Sequence, residues 1–379
     1  MQIESKLPNV GITIFTKMSK MAQEYGAINL SQGFPDFDVA PELIEKVCHY
    51  MKQGKNQYPP MAGVLNLREA IAEKIERSHD WLPKVENVLV TCGAIEAIFN
   101  TISAFVHSGD EVIIMNPAYD AYEAIIDLQG AKAVGVNLQP KDYSIDWHSV
   151  KQAISDKTRM IIINSPHNPS GATISKDDLK ELERLTKDTE ILVLSDEVYE
   201  HIVFDGKEHN SILTSEELRK RAVATFSFGK TFHATGWRMG YLVAPDFLMK
   251  EILKIHQYNT FTIHAPSQYA IADYLKTPEN YESIAAMYQE KRDFFLKAME
   301  GSRFKPVKSS GTYFQLMDYS AITDKPDVEM AEWLTKEIGV AAIPTSVFYQ
   351  NGQDNKALRF CFAKNEETLK AAADKLKDL

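Results

Sequence analysis

Cysteine is scarce in this chain. Its three copies, Cys48, Cys92 and Cys361, are an odd set with no CxxC pair, which argues against a disulfide framework or a thiolate metal site and leaves them to be read as small buried hydrophobes. The ten histidines include no HExxH pattern and no grouping with cysteine or carboxylate at ligand spacing, so no metal is expected. No stretch reaches the roughly 20 apolar residues that a membrane span requires, and the opening MQIESKLPNV lacks the apolar core of a secretion signal. The expected address is the cytoplasm, with no membrane partner. Positive charge is short as well: 42 Lys and Arg against 52 Asp and Glu leave a net charge of −10, a poor match to nucleic-acid phosphates. No fixed-period repeat, Pro/Gly/Ser-rich linker or like-charge run breaks the chain.

What is present is an ordinary globular composition, 44% hydrophobic and 25% charged, with enough apolar material for a large core. The length suggests about two or three units, or one large α/β domain with a lesser companion. Short β-branched runs alternate with helical patterns: NVLVTC before residues 94–105, EVIIM before 119–128, RMIIIN before 176–186, then ILVLSD and AVATFSF. That alternation predicts βαβ units and a mostly parallel sheet covered on both faces. After Phe247 long helices are expected, notably one over residues 279–299. From Phe304 the segments GTYFQLM and ALRFCFA predict short strands, followed by an amphipathic final helix, in a smaller α+β unit. The first forty residues fit neither pattern and are read as an arm that packs on the small domain and passes near the active site. The expected division is 1–44 for the arm and part of the small domain, 45–280 for the large domain and 281–379 for the small C-terminal domain.

The richest segment is SFGKTFHATGWRMG, Ser227 to Gly240. Glycines among cations after a predicted strand suggest a bound phosphate. Gly229-Lys230-Thr231 copies the end of a nucleotide P-loop, but that motif needs glycine where this chain has Ala224. NSPHNPSG (164–171) and SDEVY (195–199) also follow predicted strands. Ligands of an open parallel sheet bind beyond the strands' carboxyl ends, so these loops should converge. TCGAIEAI (91–98) adds a glycine turn and a helix start, which offers N–H groups to a phosphate.

Eight motifs in order, SQGFPDF, NQYPP, TCGA, NPAYDAY, NSPHNPSG, SDEVY, SFGKTFHATGWRMG and ALRFCFAK, resemble the fold-type-I pyridoxal-phosphate enzymes of the class I/II aminotransferases across nearly the whole chain. The resemblance implies a mostly parallel central sheet sandwiched by helices with a smaller α+β domain, and pyridoxal 5'-phosphate as cofactor. It implies that Lys230 bonds the cofactor through its amine and then moves a proton, and that Asp196 faces the ring nitrogen, where its charge keeps the pyridinium form. Tyr199 and Asn168 would bond the ring oxygen, and Tyr119 would stack on the ring. Ser227 and Arg238, with the Gly93 and Ala94 backbone and Ile95 beside them, would hold the phosphate. Tyr58 would reach the phosphate of the neighbouring subunit, which makes the expected assembly a homodimer with shared active sites. Arg359 is the choice for the substrate α-carboxylate, since an arginine in an apolar run waits for an anion or a buried acid; Asn164 and Gly33 would assist.

Within the family, GTYFQLMDYSAI, VAAIPTSVF and LRFCFAK resemble bacterial methionine aminotransferases, with kynurenine aminotransferases as a neighbouring branch. Phe15, Ile263 and His264 would line the side-chain pocket, the last two from the partner, and Ile95 argues mildly against kynurenine. The expected reaction is ping-pong transfer of the amino group of methionine or an aromatic amino acid to a 2-oxo acid. Rival readings are a kynurenine aminotransferase or cysteine-S-conjugate β-lyase on the same fold, and a non-catalytic cofactor-binding regulatory module. Borohydride treatment of the Lys230→Ala protein with cofactor is expected to trap no phosphopyridoxyl adduct; a normal yield removes Lys230 from its role.

Overall fold

Seven strands form the main sheet in the computed structural model, which describes residues 3–379; the first two residues of the expected 1–44 arm lie outside the described residues. They are β1 (Val88–Thr91), β2 (Glu111–Asn116), β3 (Lys132–Asn137), β4 (Thr158–Asn164), β5 (Leu192–Asp196), β6 (Ala222–Ser227) and β7 (Gly240–Val243), in the spatial order β1-β7-β6-β5-β4-β2-β3. Strands β2 to β6 pair in parallel, and β7 runs against both of its neighbours. Along the central strands alternate residues enter two different cores. Ile113, Ile161, Ile163 and Val193 face one, while Val112, Ile114, Ile162 and Leu194 face the other. Continuous apolar runs such as MIII are what a sheet buried on both faces demands.

The sequence pattern identified five of the seven strands. β3 is an edge strand with alternating exposure and an internal Gly135, so it lacks a buried run. β7 is four residues long and closes the Ser227–Gly240 segment, where the motif residues obscure it. Because β4, β5 and β6 run the same way, their carboxyl ends at Asn164, Asp196 and Ser227 lie side by side.

The helices Asp246–Asn259 and Ala265–Leu275 follow the sheet, and the single helix expected over 279–299 is broken into Glu279–Glu282 and Ile284–Ala298. At the break the Ser283 hydroxyl donates to the Glu279 carbonyl at 2.7 Å, a back-bond that bends helices. The C-terminal part carries an antiparallel sheet of Ile343–Pro344, Ala357–Cys361, Phe314–Asp318 and Lys305–Pro306. The N-terminal segment leans on it: Ile28–Asn29 pairs in parallel with Val340–Ala341, and Lys17 meets Glu332 at 2.7 Å. Among the described residues no helix is long and apolar enough to cross a membrane. The reading of all three cysteines as buried is corrected: Cys361 is buried, Cys92 is intermediate, and Cys48 is exposed. Cys48 lies on the helix Pro41–Lys52, which buries Leu43 near its start and leaves Cys48 outside the core.

Close approach of β7 to the start of the helix that follows β1, and to β6, depends on Gly240. A Cβ there would meet the Gly93 carbonyl carbon at 2.8 Å, the Phe226 oxygen at 2.8 Å and the Ala94 nitrogen at 2.9 Å, whereas one at Gly236 would meet nothing within 4 Å. Gly240→Ala is therefore expected to destabilise the cofactor-free protein by about 1–3 kcal/mol, and Gly236→Ala by less than about 0.5 kcal/mol, compared by urea denaturation.

Candidate active site

A cavity of about 220 Å³ lies at the carboxyl ends of β4, β5 and β6. Lys230, in the short helix Phe228–Thr231 that follows β6, enters it. Its Nζ donates to the Tyr313 hydroxyl at 2.8 Å and to the Gly33 carbonyl at 3.3 Å. Burial disfavours the ammonium and lowers the Lys230 pKa to about 8, helped less strongly by the Arg359 and Arg238 charges.

Asp196 ends β5 and is buried beside the same cavity. Burial raises its pKa to about 6, opposed by the Tyr122 hydroxyl, which donates to Oδ2 at 2.5 Å, and by the Val198 N–H. Asn164 ties two strand ends together: its amide donates to the Asp196 carbonyl at 2.8 Å, and its oxygen accepts the Asn168 N–H at 2.8 Å. Tyr119 and Tyr199 line the cavity. Burial pushes the Tyr119 phenol up to about 12 and the Tyr199 phenol higher still.

Arg359 sits on the strand Ala357–Cys361 at 1% exposure. Nη1 donates to Asn168 Oδ1 at 2.8 Å and Nη2 to the Ser31 carbonyl at 3.1 Å, while Nε has no partner. Phe314 packs against its guanidinium, 3.9 Å from ring centroid to carbon. Among the described residues no carboxylate reaches ion-pair distance of Arg359, although Asp120 acts on it through space. A buried cation with an unmade hydrogen bond favours an anionic ligand.

The other end is also cationic. Arg238 adopts a left-handed backbone, φ 55°, and its Nη2 lies 2.6 Å from where a Cβ on Gly93 would stand. Gly93 is thus required both for its φ of 72° and for space. It begins the 13-residue helix Gly93–Phe105, whose dipole and first N–H groups favour anions. Ala94, Ile95, Ser227 and Arg238 line this end. The cavity therefore suits a ligand with an anionic group at each end and a basic group near Asp196.

The structure gathers Phe15, Gly33, Ala94, Ile95, Tyr119, Asn164, Asn168, Asp196, Tyr199, Ser227, Lys230, Arg238 and Arg359 around one cavity, with Gly93 behind Arg238. Tyr58, Ile263 and His264 do not join them; they line a separate surface cavity, and Tyr58 is 83% exposed. His264 stands at the start of the helix Ala265–Leu275, its Nδ1 2.8 Å from Ser267 Oγ. Sequence reasoning missed Ile98, Val198 and Phe314 in the lining, and Tyr122 and Tyr313 behind Asp196 and Lys230. Tyr122 lies three residues beyond Tyr119, which caps the start of the helix Asp120–Leu128, and the two rings meet edge to face at 5.7 Å between centroids. Tyr313 directly precedes Phe314 in GTYFQLM.

The family model "Aminotransferase class I and II" matches residues 25–376. The chain is 48% identical over 378 residues to the methionine aminotransferase of Escherichia coli, covering 99% of this chain and 98% of that protein. It is 30% identical over 408 residues to the human kynurenine–oxoglutarate transaminase 1, covering 98% and 97%. A crystal structure of an Escherichia coli protein with an identified methionine aminotransferase function superposes with TM-score 0.98 at 48% identity over the whole of both chains. Aspartate aminotransferase of Thermus thermophilus with maleate superposes with TM-score 0.92 at 30% identity, again over both whole chains.

The raised pKa of Asp196 has a stability consequence. From the ordinary aspartate value of 3.8 up to about 6 the folded protein holds a proton that the unfolded chain has lost, so stability falls as pH rises through that window. Asp196→Asn in the cofactor-free protein is expected to remove this fall, worth about 3 kcal/mol at most. Denaturation of both proteins from pH 4 to 7 checks it.

Proposed function

The chain belongs to the class I and II aminotransferases, and we propose that it transfers the amino group of methionine or an aromatic amino acid to a 2-oxo acid by a ping-pong route, with pyridoxal 5'-phosphate held at the cavity around Lys230. The observation that carries this reading is Arg359, a buried guanidinium without a carboxylate partner among the described residues, in the same cavity as a lysine of lowered proton affinity. The residues fit the cofactor. Arg238, Ser227 and the start of the helix Gly93–Phe105 suit its phosphate, Asp196 suits a protonated ring nitrogen, and Asn168 and Tyr199 suit the ring oxygen.

When bound, pyridoxal phosphate supplies an electron sink for the pair left on carbon as a substrate Cα–H bond breaks. Asp196 would hold the ring nitrogen's proton, since a buried carboxylate gains from an adjacent cation. Tyr119 would cover the ring. Arg359 would receive the substrate α-carboxylate through its fork, fixing Cα within reach of the Lys230 amine. With a pKa near 8, that amine exists partly neutral at physiological pH and can accept and return a proton.

Phe15 and Phe314, whose rings both pack near the Arg359 guanidinium, with Ile95 and Ile98, give apolar walls suited to an uncharged substrate side chain. The high identity to a methionine aminotransferase supports methionine; the aromatic lining and the human kynurenine relative support aromatic donors as the second choice. We further propose a cytoplasmic homodimer, the arm and domains dividing near residues 44 and 280. Exposed Tyr58 meets exposed Phe261 edge to face, 5.6 Å between centroids, an aromatic pair of the kind that interfaces cover, and Tyr58, Ile263 and His264 would complete the partner's site.

L-methionine added to holoenzyme without an acceptor is expected to release about one equivalent of its 2-oxo acid per chain, measured by chromatography. Release of none refutes the amino-transfer reading, and pyruvate with ammonia from a cysteine S-conjugate under the same conditions marks a lyase instead. Arg359→Ala should raise KM for amino acids about tenfold or more while cofactor stays bound; an unchanged KM places the carboxylate elsewhere.

A further inference from the structure

Behind Lys230 lies a small polar group whose donors and acceptors can be counted. The Tyr313 hydroxyl donates its single proton to the Gly33 carbonyl at 2.5 Å, so its oxygen can only accept from Lys230 Nζ, 2.8 Å away. The Gly33 carbonyl, with two lone pairs, also accepts from Nζ at 3.3 Å. Tyr313 is fully buried, and its ring is fixed by Phe314 at 4.9 Å, Tyr199 at 5.2 Å and Tyr288 at 5.6 Å between centroids. The hydroxyl therefore has little freedom to turn away. A neutral amine has two N–H bonds and one lone pair. With both N–H bonds directed to Tyr313 and Gly33, the lone pair is what remains to face the cavity.

We propose that Tyr313, together with the Gly33 carbonyl, is the positioning residue for the Lys230 amine whenever that amine is not bonded to cofactor, holding it by its N–H groups so that its lone pair meets the substrate Cα–H. This rests on the reading of Lys230 given above. In the step it serves, the Cα–H proton passes to nitrogen, an N–H bond forms as the C–H bond breaks, and the bonding pair remains on carbon, delocalised into the bound cofactor. Returning the proton reverses these changes. Tyr313 neither gains nor loses a proton. Its oxygen also favours the ammonium form over the neutral amine, because it accepts more strongly from a charged donor.

Tyr313→Phe removes the one oxygen and keeps the ring that packs. In cofactor-free protein, the pH midpoint for covalent labelling of Lys230 by an amine-specific reagent, read by peptide mass spectrometry, is expected to move to lower pH. In holoenzyme, kcat should fall about tenfold or more with KM for L-methionine changed less than about threefold, and the isotope effect with Cα-deuterated methionine should rise. Borohydride should still fix cofactor to Lys230 in both proteins. If wild type gives no adduct at Lys230, the reading of that lysine fails. If the adduct forms and the labelling midpoint, kcat and isotope effect are unchanged in Tyr313→Phe, the positioning role is overturned. Should Tyr313→Phe not fold, fluorinated tyrosines placed at position 313 weaken the acceptor without altering shape. A graded fall in kcat with fluorine number then supports the proposal, and a flat series overturns it.

Discussion

The structure depends on keeping charge out of water without letting it pair. Lys230, Asp196 and Arg359 are all enclosed around one cavity, and none of them meets an opposite charge at ion-pair distance among the described residues. Each carries a desolvation cost, visible as a lysine and an arginine of lowered proton affinity and an aspartate of raised proton affinity. A core built for stability would neutralise such groups against each other. Here the neighbours are neutral dipoles: Tyr122 on Asp196, Tyr313 and Gly33 on Lys230, Asn168 and Ser31 on Arg359. They orient the charges and leave them available to a ligand, the pattern expected where stability yields to function.

Holding that arrangement falls to the sheet. Parallel β4, β5 and β6 end together, and their last residues, Asn164, Asp196 and Ser227, feed the cavity directly. Antiparallel β7 brings Gly240 against Gly93 and so sets Arg238 beside the start of the helix Gly93–Phe105. The remaining wall comes from far away in sequence: Gly33 from the N-terminal segment, Phe314 and Arg359 from the C-terminal sheet. The parallel pairing of Ile28–Asn29 with Val340–Ala341 keeps those two segments in register.

Other features show the same dependence on context. The edge strand β3 escaped the sequence pattern because half its residues face outward, and β7 because a four-residue strand carries too little periodicity. The break at Ser283 coincides with one hydroxyl back-bond within a pattern that reads as helical throughout. Cys48 was misread because cysteine favours burial on average, whereas its helix meets the core through Leu43, Val47 and Tyr50 and leaves Cys48 exposed.

Much of the outcome was local and therefore legible in the linear chain. Uninterrupted apolar runs demanded a sheet buried on both faces, and Gly93, Asp196 and Lys230 stood at strand ends where ligands of such sheets bind. Arg359 was conspicuous because an isolated cation in an apolar strand needs a reason. Tertiary structure alone decided what those charges touch. That Arg359 meets Asn168 and Ser31, that Tyr122 donates to Asp196, and that Tyr313 and Gly33 share the Lys230 amine all involve partners tens to hundreds of residues apart. Hydrogen bonds and desolvation act over a few ångströms of space, and separation along the chain carries no record of that distance.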